Sequence, residues 1–342
     1  MMLPAHGSLD RAMHPDLRIG RGILAPFVAE LHGRIALLSQ PEPYAGLPAE
    51  VAKRVTTTAM IGSLRAEDLD DLVASLPPVD LILGIGGGMT LDAAKYAAWK
   101  REIPLVLAPS VVSVDAAVTN TVAVRRDGVV TYEGFIVAQS IVADLTLISA
   151  APARVNRAGV GDLLSIHTAL RDWRLGAEAG TILFDPVVGR EAEIVLENIY
   201  GLADEVAQRT DAALEGILRA YATVNALCLR VGHSGPEEGS EHYLGYRLEA
   251  LTGRSFIHGE LIGLGAVLMS RLQRNAPGRV IEFLDRCGVA WRPADQSLDR
   301  ATLSEALRGL CSFVRDAGLP HSIIDEADLR PKAVDRLLDG LS

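Results

Sequence analysis

Val79-Asp80-Leu81-Ile82-Leu83-Gly84-Ile85-Gly86-Gly87-Gly88-Met89-Thr90-Leu91-Asp92-Ala93-Ala94-Lys95 is the stretch that decides the fold of this chain. Its first five residues are mostly apolar and read as a buried strand. From Leu91 to Trp99 the texture is that of a helix. A strand, three consecutive glycines and a helix start make a good anion site. Glycines let the backbone come close to a phosphate, and the helix N-terminus offers free N–H groups and the positive end of a dipole. A tight strand-to-helix turn with no ligand is the plainer alternative, but one ordinary turn has little use for three glycines running. The pattern is not G-x-G-x-x-G, so it argues for a nucleotide site without a standard Rossmann fingerprint.

Working outward, strand-like segments at 34–39, 56–61 and 104–109 alternate with helix-like segments at 48–55, 67–75 and 91–100. A last short strand is expected at 141–145. This alternation argues for a parallel sheet flanked by helices. Arg126-Asp127-Gly128-Val129 places an Asp-Gly turn between β-branched residues, so a hairpin is expected over 122–131. After Pro152 the texture changes. Long amphipathic stretches follow at 160–175, 191–200, 211–231, 241–251, 261–274 and 301–317, and strand signals nearly vanish. The expected architecture is a Rossmann-like α/β nucleotide-binding domain over 1–151 and an all-α, metal-binding domain over 152–342. The cleft between two such domains is the default place for a ligand.

The chain has 342 residues, 49% hydrophobic and 22% charged, with a formal net charge of -10. No Lys/Arg-rich run is present, so neither nucleic acid nor an anionic membrane is expected as a partner. No apolar run is long enough to span a bilayer, and the first 18 residues lack an apolar signal core. Cys228, Cys287 and Cys311 are odd in number and show no metal-type pairing. They read as reduced, buried thiols of a cytoplasmic protein.

Asp162, His242 and His258 carry the chemistry. Asp162 lies in Ala158-Gly159-Val160-Gly161-Asp162-Leu163-Leu164, His242 in Gly239-Ser240-Glu241-His242-Tyr243, and His258 in Phe256-Ile257-His258-Gly259-Glu260-Leu261. Singly, Asp162 reads as a helix cap and each His as structural or solvent-facing. Together they are one carboxylate and two imidazoles near the ends of three helices. That is the ligand set of a catalytic zinc site with a position left for water or a substrate oxygen. Spacing alone does not bring them together.

These segments, with Gly86-Gly87-Gly88-x-x-x-Asp92-x-Ala94-Lys95 and Pro109-x-x-x-Ser113-x-Asp115, resemble the dehydroquinate synthase-like, iron-containing alcohol dehydrogenase superfamily over nearly the whole chain. Within it the glycerol-1-phosphate dehydrogenase branch is most similar, through Ala158 to Ser165, Thr168 to Trp173 and Gly239 to His242; glycerol dehydrogenase is next. The resemblance implies the dehydroquinate synthase-like fold and an NAD(P)-dependent, metal-containing alcohol dehydrogenase, with a small hydroxyl or carbonyl substrate and room for a homodimer. It places NAD or NADP at Gly86, Gly87, Gly88, Asp92, Lys95, Ser110 and Ser113. Lys95 would approach the nicotinamide ribose or else lie on a solvated helix face. Asp115 would contact substrate hydroxyls. Asp162, His242 and His258 would hold Zn²⁺ or another divalent metal such as Fe²⁺ or Ni²⁺. The metal would stabilise the alkoxide that gives up hydride.

Three departures from the glycerol-1-phosphate branch bear on the substrate. Gly235, Ile166 and Tyr246 stand where that branch carries Arg, Lys and His. Arg and Lys are what a phosphate wants, so glycerol 1-phosphate itself is in doubt. Arg254 and His167 are the nearest compensating cations by sequence. The end of the first strand, Ser39-Gln40-Pro41-Glu42, leaves NAD against NADP open. Two other functions stay in view. One is a sugar-phosphate cyclase, a carbon–oxygen lyase that uses NAD transiently. The other is a silent nucleotide-binding protein, which would have no need of all three metal ligands.

Overall fold

The computed structural model describes residues 6–126 and 129–341. The strands are β1 (Leu17–Gly20), β2 (Ile35–Ser39), β3 (Thr57–Met60), β4 (Leu81–Gly86), β5 (Leu105–Pro109), β6 (Thr121–Arg126), β7 (Val129–Phe135) and β8 (Ser140–Asp144). The chain divides into two compact units, Met1–Asn156 and Arg157–Ser342, and the division falls inside the helix Ala153–Leu163.

In the first unit, six strands form one sheet in the order β1-β8-β5-β4-β2-β3, with every pairing parallel. β2, β4, β5 and β8 are buried along their whole lengths. Such continuous apolar runs are what a parallel sheet covered on both faces requires. Ile35, Leu37, Leu83, Ile85, Val106 and Val142 point into one core, closed by Leu24, Val28 and Val51. The glycine-rich turn follows β4, and the helix Gly88–Arg101 begins directly after it, three residues earlier than apolar periodicity suggested. β2 connects outward to β3 while β4 connects to β5 on the other side, so the chain changes direction between β2 and β4. Open α/β sheets bind ligands at the carboxyl ends of the strands at such a switch point.

β6 and β7 pair antiparallel, as the hairpin reading required. The Asp127-Gly128 turn itself lies outside the described residues. β1 was not foreseen; it adds to the sheet edge beside β8.

Among the described residues the second unit contains no strand. Its central helix, His258–Gln273, is buried from Gly259 through Ser270. Two expected continuous helices are broken. The stretch 160–175 ends at Leu163 and restarts at Ile166, where Ser165 Oγ donates to the Glu237 carbonyl at 2.5 Å. The stretch 301–317 breaks at Gly309 into Arg300–Arg308 and Leu310–Asp316. None of the three cysteines forms a disulfide; Cys287 is buried but Cys228 and Cys311 are only partly so. Among the described residues no helix is long and apolar enough to cross a membrane.

Candidate functional site

Each glycine of the turn has its own reason. A Cβ on Gly86 would lie 2.5 Å from Thr90 Oγ1, so Gly86 lets the helix pack onto its strand. Upstream, Gly84 does the same against Ala94. A Cβ on Gly87 would meet only the Val111 side chain, at 3.4 Å. Gly87 and Gly88 line a cavity of about 590 Å³, and Gly86 does not. The same cavity is lined by Gln40, Glu42, Ser110, Ser113 and Asp144, all in the first unit. The Ser110 N–H donates to the Gly86 carbonyl at 2.9 Å, which fixes the post-β5 loop against the turn. Asp115 opens the short 3-10 turn Asp115–Ala117, two residues beyond Ser113, and is not among the cavity-lining residues.

Asp92 and Lys95 differ from both readings offered for Lys95. Lys95 is buried and pairs with Asp92 at 2.7 Å. Its ammonium also donates to Thr119 Oγ1 at 3.1 Å and to the Thr121 carbonyl at 2.9 Å. Asp92 Oδ1 accepts the Ala123 N–H. The pair ties the helix to the start of β6. It is neither a solvated face nor, as placed, a ribose contact, because a buried ammonium must satisfy its donors and does so internally.

In the second unit, Asp162, His242 and His258 come together. Their ligand atoms all lie within 4.8 Å of one another. Asp162 Oδ1 is 3.5 Å from His242 Nε2 and 3.3 Å from His258 Nε2. Ligands bound tetrahedrally at the usual zinc distances are separated by about 3.3 Å, so the residues present fit a divalent ion of that geometry. Asp162 and His242 are buried, and His258 at the start of its helix is more open. Burial disfavours a charged Asp162, but His258 and His242 outweigh it and hold the carboxyl well below its ordinary range. Burial likewise opposes a charged His242, while Asp162 and Glu241 raise its pKa well above the ordinary imidazole value.

Three residues not singled out in the sequence complete the centre. Glu241, fully buried, accepts from His242 Nδ1 at 2.9 Å, from the Gly239 N–H at 2.6 Å and from Thr168 Oγ1 at 2.6 Å. With Nδ1 thus committed, Nε2 is the ring nitrogen left to face Asp162 and His258. The Tyr221 hydroxyl bridges the Gly159 carbonyl and Asp162 Oδ2, at 2.8 and 3.2 Å. Below Glu241, Asp172 accepts from Ser240 and Ile323. Burial and the Glu241 charge push Asp172 up to about 6. The only sequence signal for Glu241 was its place directly before His242.

The three helices that carry Asp162, His242 and His258 meet through glycines. A Cβ on Gly161 would fall 1.9 Å from the Gly259 carbonyl oxygen, and one on Gly259 would fall 1.9 Å from that of Ala158. A Cβ on Gly265 would fall 2.6 Å from the Glu241 carbonyl oxygen. Gly161 adjoins Asp162, Gly259 adjoins His258, and Glu241 adjoins His242.

The compensating cations suggested by sequence are committed elsewhere. His167 Nε2 lies 2.7 Å from the Asn275 carbonyl and Nδ1 3.0 Å from the Tyr200 hydroxyl, and burial lowers its pKa, which disfavours the cation. Arg254 donates to the Ser297 and Gln296 carbonyls and stacks on Phe256. Ile166 is fully buried, Gly235 fits against His233 and Trp173, and the Tyr246 hydroxyl donates to Glu238.

Comparison with known proteins extends this picture. Residues 45–152 match the family described as iron-containing alcohol dehydrogenase. A glycerol-1-phosphate dehydrogenase (NAD(P)+) of Thermococcus sibiricus is 28% identical over 229 residues, covering 67% of this chain and 65% of that protein. One from Methanosarcina acetivorans is 28% identical over 263 residues, covering 74% of this chain and 72% of the relative. The chain thus spans just under two thirds of the Thermococcus relative's length. Glycerol dehydrogenase from Schizosaccharomyces pombe shares the fold with a TM-score of 0.72 at 19% identity, over 94% of this chain and 90% of its own. NADH-dependent butanol dehydrogenase A from Thermotoga maritima does so with a TM-score of 0.71 at 13% identity, over 96% of both chains. Residues 45–152 thus resemble the iron-containing alcohol dehydrogenases, the sequence relatives are glycerol-1-phosphate dehydrogenases, and the glycine turn at a sheet switch point with a helical second unit is a fold shared with glycerol dehydrogenase.

Proposed function

We propose that the chain is a metal-dependent, NAD(P)-linked oxidoreductase that interconverts a small polyol, sugar alcohol or its phosphate with the ketone or aldehyde. The observation that carries this reading is the cluster of Asp162, His242 and His258, with Asp162 3.5 and 3.3 Å from the two imidazoles, close to the ligand separations of a tetrahedral ion. These residues would hold Zn²⁺, or another divalent ion such as Fe²⁺ or Ni²⁺. Such an ion, when bound, polarises an alcohol oxygen and lowers its pKa. Glu241 holds His242 with Nε2 toward the cluster, and Tyr221 steadies the second oxygen of Asp162. In the first unit, Gly87 keeps the cavity wall bare beside the N-terminus of the helix Gly88–Arg101, which suits a pyrophosphate. Ser110 and Ser113 on the same wall offer hydroxyls to the cofactor. Asp115 is proposed to take substrate hydroxyls. The names of the glycerol-1-phosphate and glycerol dehydrogenase relatives support the reaction class.

Phosphate is not expected to be the main handle on the substrate. Ile166, Gly235 and Tyr246 supply no cation, and His167 and Arg254 are held by other partners. Steady-state kinetics with dihydroxyacetone phosphate and with unphosphorylated hydroxyketones test both points. The reading expects one NAD(P)H consumed per carbonyl reduced, with dihydroxyacetone phosphate a poor substrate. An efficiency of about 10⁴ M⁻¹s⁻¹ or more on that phosphate, within the ordinary enzyme range, would show that the anion is recognised. Inorganic phosphate released with no net change in nucleotide would replace the oxidoreductase by the cyclase.

A further inference from the structure

We infer that Glu42 makes the first unit selective for NAD(H) over NADP(H). This rests on the proposed reading that the cavity beside the glycine turn takes the adenosine end of a nicotinamide dinucleotide. β2 runs beside β4 in register, Leu38 opposite Gly84 and Ser39 opposite Ile85. The carboxyl end of β2 therefore adjoins the glycine turn, the place from which an acidic side chain reads ribose hydroxyls in dinucleotide sites.

Two residues at that strand end are already occupied. Ser39 is buried and donates to the Ile85 carbonyl at 2.8 Å. Gln40 Oε1 accepts from Thr90 Oγ1 at 3.1 Å, which ties it to the first turn of the glycine helix. The next polar side chain is Glu42, in the short helix Pro41–Ala45, and it lines the cavity. Among the described residues, no Lys, Arg or His lines the cavity. The other charged side chain on that wall, among the described residues, is Asp144, whose carboxylate is committed to the N–H groups of Gly22, Leu24 and Thr146.

A ribose 2′-hydroxyl can donate to Glu42. A 2′-phosphate cannot: it has no proton to offer at neutral pH, brings nearly two further negative charges, and meets a carboxylate with no cation on the wall. A charge-assisted hydrogen bond against its loss corresponds to about ten- to a hundredfold in affinity. The adenine-side preference is therefore expected to favour NADH by at least about tenfold, before any repulsion is added.

Fluorescence titration of the full-length protein with NADH and with NADPH measures this without turnover. The wild type is expected to bind NADH at least about tenfold tighter. Glu42→Gln should narrow the ratio, and Glu42→Arg should narrow it further or invert it. Glu42 is exposed, so thermal unfolding of the variants should match the wild type. Equal or tighter NADPH binding by the wild type overturns the inference, as does a ratio that Glu42→Gln leaves unchanged. Binding of neither nucleotide would instead overturn the cofactor reading on which it rests.

Discussion

Gly161→Ala tests whether the ligand cluster is held by the close approach of its helices. The added Cβ would stand 1.9 Å from the Gly259 carbonyl oxygen, where real contacts keep at least 3.0 Å. The two backbones must part by roughly 1.1 Å, the difference between those two distances, because a carbonyl oxygen cannot swing aside as a side-chain tip can. Asp162 is the next residue on one helix, and His258 adjoins Gly259 on the other. Metal–ligand distances tolerate only about 0.2 Å. The variant is therefore expected to lose zinc affinity by at least the ten- to hundredfold that disturbing an outer shell costs. For stability two effects compete. Overpacking costs about 1–3 kcal/mol, while replacing a helical Gly by Ala returns about 1 kcal/mol. Because the clash is with backbone, the overpacking cost is expected in the upper part of that range, so the clash should win by about 1–2 kcal/mol, which lowers the metal-free midpoint of a chain this long by about 1–3 °C. Zinc competition against a chromophoric chelator, with thermal unfolding in excess chelator, reads both. Gly278→Ala is the control: it sits in the helix Pro277–Cys287 with nothing within 4 Å of its added Cβ, and should be neutral or stabilising. A Gly161→Ala protein that binds zinc within twofold of wild type and melts at the same temperature would refute the reasoning.

Other substitutions separate the parts of the site. His258→Ala should lose stoichiometric metal by elemental analysis and keep its far-ultraviolet circular dichroism, because the imidazole is partly exposed; full occupancy would remove His258 from the ligand set. Glu241→Gln should weaken zinc binding by about ten- to a hundredfold, since an amide cannot accept from His242, Gly239 and Thr168 as the carboxylate does. Unchanged chelator competition would make Glu241 a packing residue only. Gly87→Val should abolish nicotinamide nucleotide binding by calorimetry with little change in melting temperature, because the new side chain has room in the protein but stands in the cavity; retained affinity would mean that the turn holds no pyrophosphate.

The parts of the fold that were legible are those fixed by local pattern. β2, β4, β5 and β8 are buried on both faces, so their sequences are continuous apolar runs, which a linear reading detects. β1 escaped because it is four residues long, carries an exposed Arg18 and ends in Gly20. Its sheet partner among the described residues, β8, lies more than a hundred residues away, so no local feature announces it. The broken helices escaped for a similar reason. Apolar periodicity continues through Leu164 and Ser165, and the interruption is set by the Glu237 carbonyl, which arrives from a distant loop. At Gly309 the missing side chain leaves room for the Arg247 guanidinium, whose nearest nitrogen would lie 3.0 Å from a Cβ.

Site residues divide along a different line. Asp162, His242 and His258 could be grouped from sequence as candidates, by the chemistry of one carboxylate and two imidazoles near helix ends and by the family resemblance; what the structure adds is that their ligand atoms lie within 4.8 Å of one another. Asp92 and Lys95 show the converse. Three residues apart on a helix, an acid and a base face the same way whether they serve a ligand or each other. Sequence offers no means of telling the two apart, and burial decides: with Lys95 1% exposed and its donors taken by Asp92, Thr119 and Thr121, the pair serves the fold. His167 and Arg254 follow the same rule, since a cation counts toward a substrate only if its donors are uncommitted. By that rule the glycines beside the ligands carry more than the charged residues around them. A charge can be repositioned by a rotamer, but an added Cβ at Gly161 or Gly259 meets a backbone oxygen that no rotamer removes.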